Sequence, residues 1–243
     1  MKTIDRKSFL KSLGLAGVTA LAAPVFIHCR NDDDKDSATG TIDNTISTAC
    51  SVTNTETEGP FPTKSPSGLV QSNIVSDRTG VPFTIAITVQ NVKAGCAALQ
   101  GAVVDIWHCD RDGNYSEYGG TGMQSANYTS VHFLRGRQTT DAEGKVKFTS
   151  IFPGWYSGRA THIHVHIYNT AGQSLLVTQI AFPEGNGSAV VQVAASTGYK
   201  GMNGYTYNSN DNVFSDGTSN EMSAISGSVS GGFALSHTIK VSV

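Results

Sequence analysis

The sequence predicts an all-β fold: an antiparallel β-sandwich of about seven to nine strands, with long loops that carry a metal site. Short segments of alternating apolar and polar residues recur between turns rich in Gly, Pro and Asp, as in half-buried strands. Glycine is frequent, with 26 in 243 residues. Three of the seven histidines lie within positions 162–166, which points to a metal-binding strand.

Length and charge restrict the class of protein. A chain of 243 residues fits one β-domain or at most two small ones. The 17 Lys and Arg residues nearly balance the 19 Asp and Glu residues, and the chain has no long basic run. Nucleic acid is therefore a poor candidate partner. We expect the globular domain to span residues 50–243.

The N-terminal segment 1–29 has the pattern of an export signal. Basic residues precede the apolar run 13–27, which is too short and too rich in Ala and Gly for a membrane span. Cys29 stands before an acidic stretch and resembles a lipidation site, and the alternative is cleavage near positions 22–23 with a soluble product. Segment 30–49 is polar and predicts a flexible tether. The expected location is periplasmic, extracellular or membrane-anchored as a lipoprotein.

The three remaining cysteines predict one disulfide and one free thiol, because exported proteins form disulfides. Cys96 and Cys109 bracket the strand expected at 102–108, which would hold them about 25 Å apart. Since that distance exceeds disulfide reach, Cys50 is expected to pair with one of them, and we favour Cys109. Three buried free thiols are the alternative.

The strands follow from alternation and from the turns between them. Residues 141–144 form a hairpin loop, with Gly144 where a positive φ is needed. Residues 198–220 are polar and glycine-rich and predict a loop. The strands are expected at 82–89, 101–108, 133–140, 145–151, 162–168, 175–182 and 233–243.

The strand at 162–168 carries the chemistry. Its period of two divides the side chains between two faces. The apolar members point to the core: Ile163, Val165 and Ile167. The other face presents His162, His164 and His166. Histidines two residues apart on a strand can share one ion, and neutral imidazole binds zinc, copper, iron and nickel.

Six motifs then appear in one order: 57–61 (TEGPF), 104–108 with Gly113-Asn114-Tyr115, the hairpin 135–148, 153–156 (PGWY), Arg159 with His162-Ile163-His164, and Thr178-Gln179. Over residues 53–243 the chain resembles the intradiol ring-cleavage dioxygenases, the group of protocatechuate 3,4-dioxygenase and catechol 1,2-dioxygenase. It looks most similar to small exported members of that superfamily.

The resemblance implies a non-haem ferric ion, Fe(3+), held by Tyr115, Tyr156, His162 and His164. Tyr118 and Tyr128 compete with Tyr115 for the first position. The resemblance further implies catalytic roles for Arg159, Gln179 and Tyr156, and a substrate pocket lined by Gly59, Pro60 and Phe61. His166 and His108 are expected to be structural.

The implied reaction joins a small aromatic diol and O2, with ring cleavage between the hydroxyl-bearing carbons to a muconate-type diacid. The alternative function is an exported β-sandwich binding or adhesion module with a degenerate metal site. A zinc or copper enzyme is disfavoured, because the histidine strand has no nearby carboxylate to act as a general base. The resemblance leaves the oligomeric state open.

Overall fold

Two β-sheets packed face to face form the domain in the computed structural model, which describes residues 50–243. The expected export signal at 1–29 and tether at 30–49 lie outside the described residues. The strands are β1 (Pro82–Asn91), β2 (Ala97–Ala98), β3 (Val103–Trp107), β4 (Arg135–Thr139), β5 (Lys145–Ile151), β6 (His162–Tyr168), β7 (Ser174–Ala181), β8 (Ala224–Ser228) and β9 (Gly232–Val241). Residues 50–243 contain one short α-helix, α1 (Ala189–Ala194), which follows β7.

The first sheet has the order β2-β1-β9-β8, and β5 also pairs with β1. The second sheet has the order β4-β3-β6-β7 and is antiparallel throughout. In the first sheet only the β1–β9 pair is parallel among the described strands. The predicted all-β sandwich is therefore confirmed, with one parallel pair that alternation could not reveal.

The core lies between the two sheets. Ile85 and Ile87 of β1 face inward with Val104 of β3, and all three are fully buried. The expected apolar face of β6 is confirmed, because its Ile and Val side chains join this core. The opposite face of β6 is also buried, and the loops 108–134, 152–161 and 182–223 meet at the end of the second sheet where β6 begins. These loops build the candidate site.

The expected strands lie within a few residues of their predicted bounds, and the hairpin glycine, Gly144, has a φ of 72°. Three short elements were missed: β2, β8 and α1. β2 and α1 are too short to show a period, and β8 is mostly exposed and has no apolar face. The α1 N-cap, Ser188, accepts a hydrogen bond from the Val191 backbone N–H. None of the helices in residues 50–243 is both long and apolar enough to cross a bilayer.

The disulfide joins Cys50 to Cys96, so the preference for Cys109 was wrong. The chain enters the domain alongside β9, where the Thr53 N–H donates to the Lys240 carbonyl. That path brings Cys50 to the end of β1, where Cys96 lies. Cys109 follows β3 of the second sheet and stays a buried thiol.

Candidate metal centre

The three histidines of β6 lie in two different environments. The Nε2 atoms of His162 and His164 are 3.0 Å apart, and both rings are buried. His166 instead places Nδ1 2.9 Å from the Glu58 carboxylate and Nε2 2.8 Å from the Ser174 hydroxyl. A single ion could therefore be shared by His162 and His164, whereas His166 has a structural role.

Contacts to neighbouring groups orient the two histidine rings. His162 Nδ1 is 2.6 Å from the Ala160 carbonyl, which can only accept, so Nδ1 carries the proton and donates. This leaves the Nε2 lone pair free to bind an ion, as in many metal-binding histidines. Trp107 of β3 lies opposite His164 of β6. The two rings stack with their centroids 4.9 Å apart and their planes 1° from parallel.

Tyr115 lies in the loop after β3 and reaches the histidines. Its ring is fully buried, and its hydroxyl oxygen is 3.2 Å from His162 Nε2. Gln124 clamps its backbone: Oε1 accepts from the Tyr115 N–H at 2.6 Å and Nε2 donates to the Tyr115 carbonyl at 2.9 Å. The sequence analysis missed Gln124, which stands in an irregular loop with no motif.

The two competing tyrosines have other partners. The Tyr118 hydroxyl donates to the Pro62 carbonyl at 2.7 Å. Tyr128 packs edge-on against Phe133 at 5.2 Å between ring centroids, in a separate apolar cluster. Of the three candidates, the structure therefore brings Tyr115 to the histidines.

Tyr156 completes the group from the loop between β5 and β6. Its ring centroid lies 5.7 Å from those of Tyr115 and His162. Arg159 Nη1 is 3.4 Å from the Tyr156 hydroxyl oxygen and 3.4 Å from His162 Nε2. Arg159 Nη2 donates to Gln179 Oε1 at 2.5 Å. The expected catalytic residues thus lie beside the expected ligands.

Asp211 holds Arg159 in this position, and the sequence analysis did not find it. Both carboxylate oxygens of Asp211 lie 2.9 Å from Arg159 Nε, and the residue is almost fully buried. The same carboxylate accepts from the backbone N–H groups of Ala160 at 2.8 Å and Val213 at 3.0 Å. Asp211 stands in the polar loop 198–220, where nothing in the pattern distinguishes it from other polar residues.

The segment 57–61 forms one wall of the site. Gly59 has a φ of 68°, and a Cβ there would lie 3.0 Å from His164 Cε1, so a side chain would press on the ring. Gln179 Nε2 donates to the Thr57 carbonyl at 2.8 Å, which ties this segment to β7. Pro60 is exposed at the rim.

Phe61 is the buried aromatic of this wall. Its ring stacks on Tyr115 at 4.7 Å and meets Tyr156 edge-on at 5.9 Å. Arg135, which is fully buried, donates from Nη1 to the Phe61 carbonyl at 3.0 Å. Phe61 therefore packs against both candidate tyrosine ligands, and the hydrogen bond from Arg135 holds its backbone in place.

Burial sets the protonation states of the four candidate ligands. It raises the pKa of Tyr115 well above its ordinary value and also raises the pKa of Tyr156. Burial, followed by the charge of Arg159, lowers the pKa of His162, and burial lowers the pKa of His164. Without a cation the tyrosines keep their protons and the imidazoles are neutral. A bound cation would favour the phenolates.

The donor set suits a ferric ion. Two phenol oxygens, once ionised, offer hard anionic ligands, and two neutral imidazoles offer nitrogen. The rings meet edge-on, with centroids 4.7 Å apart for His162 and His164 and 5.7 Å apart for Tyr115 and Tyr156. Within residues 50–243, the hydrogen bonds of the four donor atoms involve no carboxylate. The identity of the ligands stays a prediction.

Comparison with known proteins identifies the family. A family model described as "Dioxygenase" matches residues 58–218, more than half of the chain and all four candidate ligands. The chain belongs to the intradiol ring-cleavage dioxygenase family. The resemblance to this family, drawn from the ordered motifs, is therefore confirmed, whereas the similarity to its small exported members stays a prediction.

Individual members of the intradiol dioxygenase family match over part of their length. Chlorocatechol 1,2-dioxygenase from Rhodococcus opacus is 32% identical over 103 residues, which cover 35% of this chain and 37% of that protein. Protocatechuate 3,4-dioxygenase beta chain from Burkholderia cepacia is 29% identical over 118 residues, covering 46% of this chain and 49% of that protein. The chain thus spans about a third to half of the length of these curated relatives.

A solved structure of another family member covers more of this chain. The intradiol ring-cleavage dioxygenase from Tetranychus urticae superposes with a TM-score of 0.69 at 27% identity. The superposition covers 79% of this chain and 95% of that one. The match supports the family's β-sandwich as the fold of residues 50–243.

Proposed function

We propose that this protein is a non-haem iron(III) dioxygenase that cleaves catecholic aromatics between the two hydroxyl-bearing carbons, with O2 as co-substrate and muconate-type diacids as products. One observation carries the proposal. Tyr115, Tyr156, His162 and His164 come from three separate parts of the chain, and their rings gather at one buried place. The relatives named for chlorocatechol and protocatechuate support a catecholic substrate.

Four residues would hold the ferric ion: Tyr115, Tyr156, His162 and His164. When bound, the ion supplies Lewis acidity that favours the ionised form of both hydroxyls of a catechol. The rest of the chemistry falls to side chains that bind, orient or move protons.

Tyr156 is the residue suited to move a proton. It is partly exposed, whereas Tyr115 is fully buried and clamped by Gln124. A phenolate oxygen can accept a proton, and Arg159 lies 3.4 Å from the Tyr156 hydroxyl oxygen. We assign Tyr156 Oη as the atom that takes a proton from the catechol.

Arg159 and Gln179 are placed to act on the substrate ring. The guanidinium lies beside Tyr156 and His162, so it would stabilise negative charge that develops on a ring bound there. Gln179 accepts from Arg159 and donates to the Thr57 carbonyl, which fixes its amide. Phe61 supplies an apolar wall that excludes water.

The test is the visible absorption spectrum of the purified protein, with iron measured on the same sample. Tyrosinate bound to ferric iron gives a red-brown band that should shift on adding a catechol and fade in air as a ring-opened acid forms. Tyr115→Phe should weaken and shift the band, because Tyr156 is then the one remaining tyrosinate ligand, whereas Tyr118→Phe, with its hydroxyl bonded to Pro62, should leave the band unchanged. A protein that stays colourless after iron reconstitution would favour the binding-module alternative.

We further propose that the protein is exported, as a soluble periplasmic or extracellular protein or anchored through a lipidated Cys29. The Cys50–Cys96 disulfide supports this, since disulfides persist in oxidising compartments. Fractionation of cells and mass measurement of the mature N-terminus would test export and lipidation separately. Intact protein in the cytoplasm with residues 1–29 retained would contradict the proposal.

A further inference from the structure

Three carboxylates gather outside the candidate iron centre. One oxygen from each of Glu56, Asp216 and Glu221 lies within 4.8 Å of the other two. Glu56 stands on the segment that enters the domain, and its backbone N–H donates to the Val177 carbonyl of β7 at 2.8 Å. Asp216 and Glu221 stand on the loop that leads into β8. The cluster therefore joins two segments that are distant in sequence.

Glu221 leaves a buried oxygen without a partner. The residue is 0% exposed, and its Oε1 accepts from the Thr178 hydroxyl at 3.3 Å. Its Oε2 has no hydrogen-bond partner within residues 50–243. Buried carboxylate oxygens nearly always accept a hydrogen bond, because an unpaired oxygen loses its hydration without gaining a new interaction. This atom therefore indicates a missing ligand at the cluster.

The surrounding charges leave the cluster negative. Arg159 is the positive group that acts on Glu56, but Asp211 already pairs with it at 2.9 Å. Burial, then the neighbouring Asp216, raises the pKa of Glu56 to about 7. Burial, then Glu56, raises the pKa of Glu221 to about 8. Burial therefore disfavours the charged forms of Glu56 and Glu221, and a bound cation would offset that cost.

We propose that Glu56, Asp216 and Glu221 form a second metal site that binds a hard divalent cation of the Ca²⁺ type. The ligands are all oxygens, which Ca²⁺ and Mg²⁺ prefer over softer metals. Ca²⁺ fits better, since it tolerates the irregular geometry of ligands from two loops, whereas Mg²⁺ requires a near-ideal octahedron. Asp216 is exposed, so ions reach the site from solvent and water can complete the coordination.

The position of the site gives the cation a supporting role. Glu56 lies just before the segment that carries Gly59 and Phe61, and Asp216 lies just after Asp211, which orients Arg159. A cation would fasten these two segments to each other beside the candidate iron centre. The ion touches no reacting atom and would act by positioning.

The test uses the purified protein, once as isolated and once after iron loading, freed of calcium by exchange into a calcium-free buffer at pH 8. Titration calorimetry with CaCl2 should show one ion per chain, with MgCl2 binding at least tenfold more weakly. Saturating Ca²⁺ should raise the Tm by about 5–10 °C, as expected for a ligand held at about 100 times its Kd. Glu221→Gln and Asp216→Asn should each abolish most of that rise.

Glu143→Gln is the matched control, because Glu143 is an exposed carboxylate on the distant hairpin loop. It should keep the wild-type rise in Tm. Asp216→Asn guards against a folding artefact, since its side chain is at the surface. Proton competition also predicts that Ca²⁺ binds more weakly at pH 6 than at pH 8, as Glu56 and Glu221 become protonated.

Two results would overturn the site. One is the absence of calorimetric heat and of any Tm shift at 10 mM CaCl2. That concentration is about ten times the Kd of the weakest Ca²⁺ sites of extracellular modules, which is about 1 mM. The other is an equal shift in wild type and in all three variants, which would mean non-specific screening. Both readouts are independent of catechol turnover, so failure of the dioxygenase proposal would leave them interpretable.

Discussion

Asp211 offers the sharpest test of how the site is held. Its carboxylate pairs with Arg159 Nε at 2.9 Å and also accepts from Ala160 and Val213. Asp211→Asn keeps the shape but removes the charge and replaces one acceptor oxygen by an N–H₂ group. Breaking a buried ion pair costs about 3–5 kcal/mol. Because Asn retains one acceptor, we expect the free energy of unfolding to fall by about 2–4 kcal/mol.

Asp211→Asn should also lower kcat, because the Arg159 side chain is then held less firmly beside the substrate position. With Asp211 neutral, the guanidinium keeps Gln179 as its one strong side-chain partner among the described residues. Removal of a well-placed charge-stabilising donor typically costs about 100–1,000-fold in kcat, and misplacement should cost less. We expect kcat to fall about 10–100-fold, equivalent to about 1.4–2.8 kcal/mol. KM should change little, and the tyrosinate colour should persist.

The assay is oxygen uptake with catechol under steady state, with kcat and KM determined separately at a temperature where the variant is folded. Asp112→Asn is the control, since its side chain is 61% exposed, and it should match wild type. In an Arg159→Ala background, Asp211→Asn should add almost nothing. Wild-type kcat in Asp211→Asn, or the same loss in both backgrounds, would refute the positioning argument.

Three further outcomes are expected. Gly59→Ala should cost about 1–2 kcal/mol from its positive φ and lower bound iron, measured by metal analysis, because the new Cβ meets His164. Replacing Cys50 and Cys96 by serine should lower the free energy of unfolding by about 2–4 kcal/mol in denaturant titrations, because a loop of 46 residues is released. In calcium-free buffer, stability should fall as pH rises from 4.5 to about 8, since the pKa of Glu221 is raised from 4.5 to about 8 and folding favours its protonated form.

Each of these has its own control. Gly68→Ala should keep its iron, since a Cβ there meets nothing within 4 Å and its φ is not in the positive range. Reducing agent should mimic the double serine variant and have no effect on it. Glu221→Gln should flatten the fall in stability between pH 4.5 and 8, and an unchanged slope would show that other groups cause it.

Local patterns in the sequence were sufficient for much of this protein. The alternation in β6 predicts which side chains enter the core and which histidines share a face, because a strand places every second residue on one side. Turn chemistry around Gly144 predicts the hairpin, and the ordered motifs predict the family. These features depend on neighbours within a few residues or on a fixed order along the chain.

The tertiary structure decided the partnerships between distant segments. The choice of Cys96 over Cys109 depends on the path of the chain along β9, and no period encodes that path. Asp211 meets Arg159 across 52 residues, through a glycine-rich loop whose polar residues look alike in sequence. A buried charge is stable only with a partner, and the fold of the loops decides which residue that is. The sequence alone therefore determined the longer strands and the face of β6 that carries the histidines, and the tertiary structure determined how the site is held.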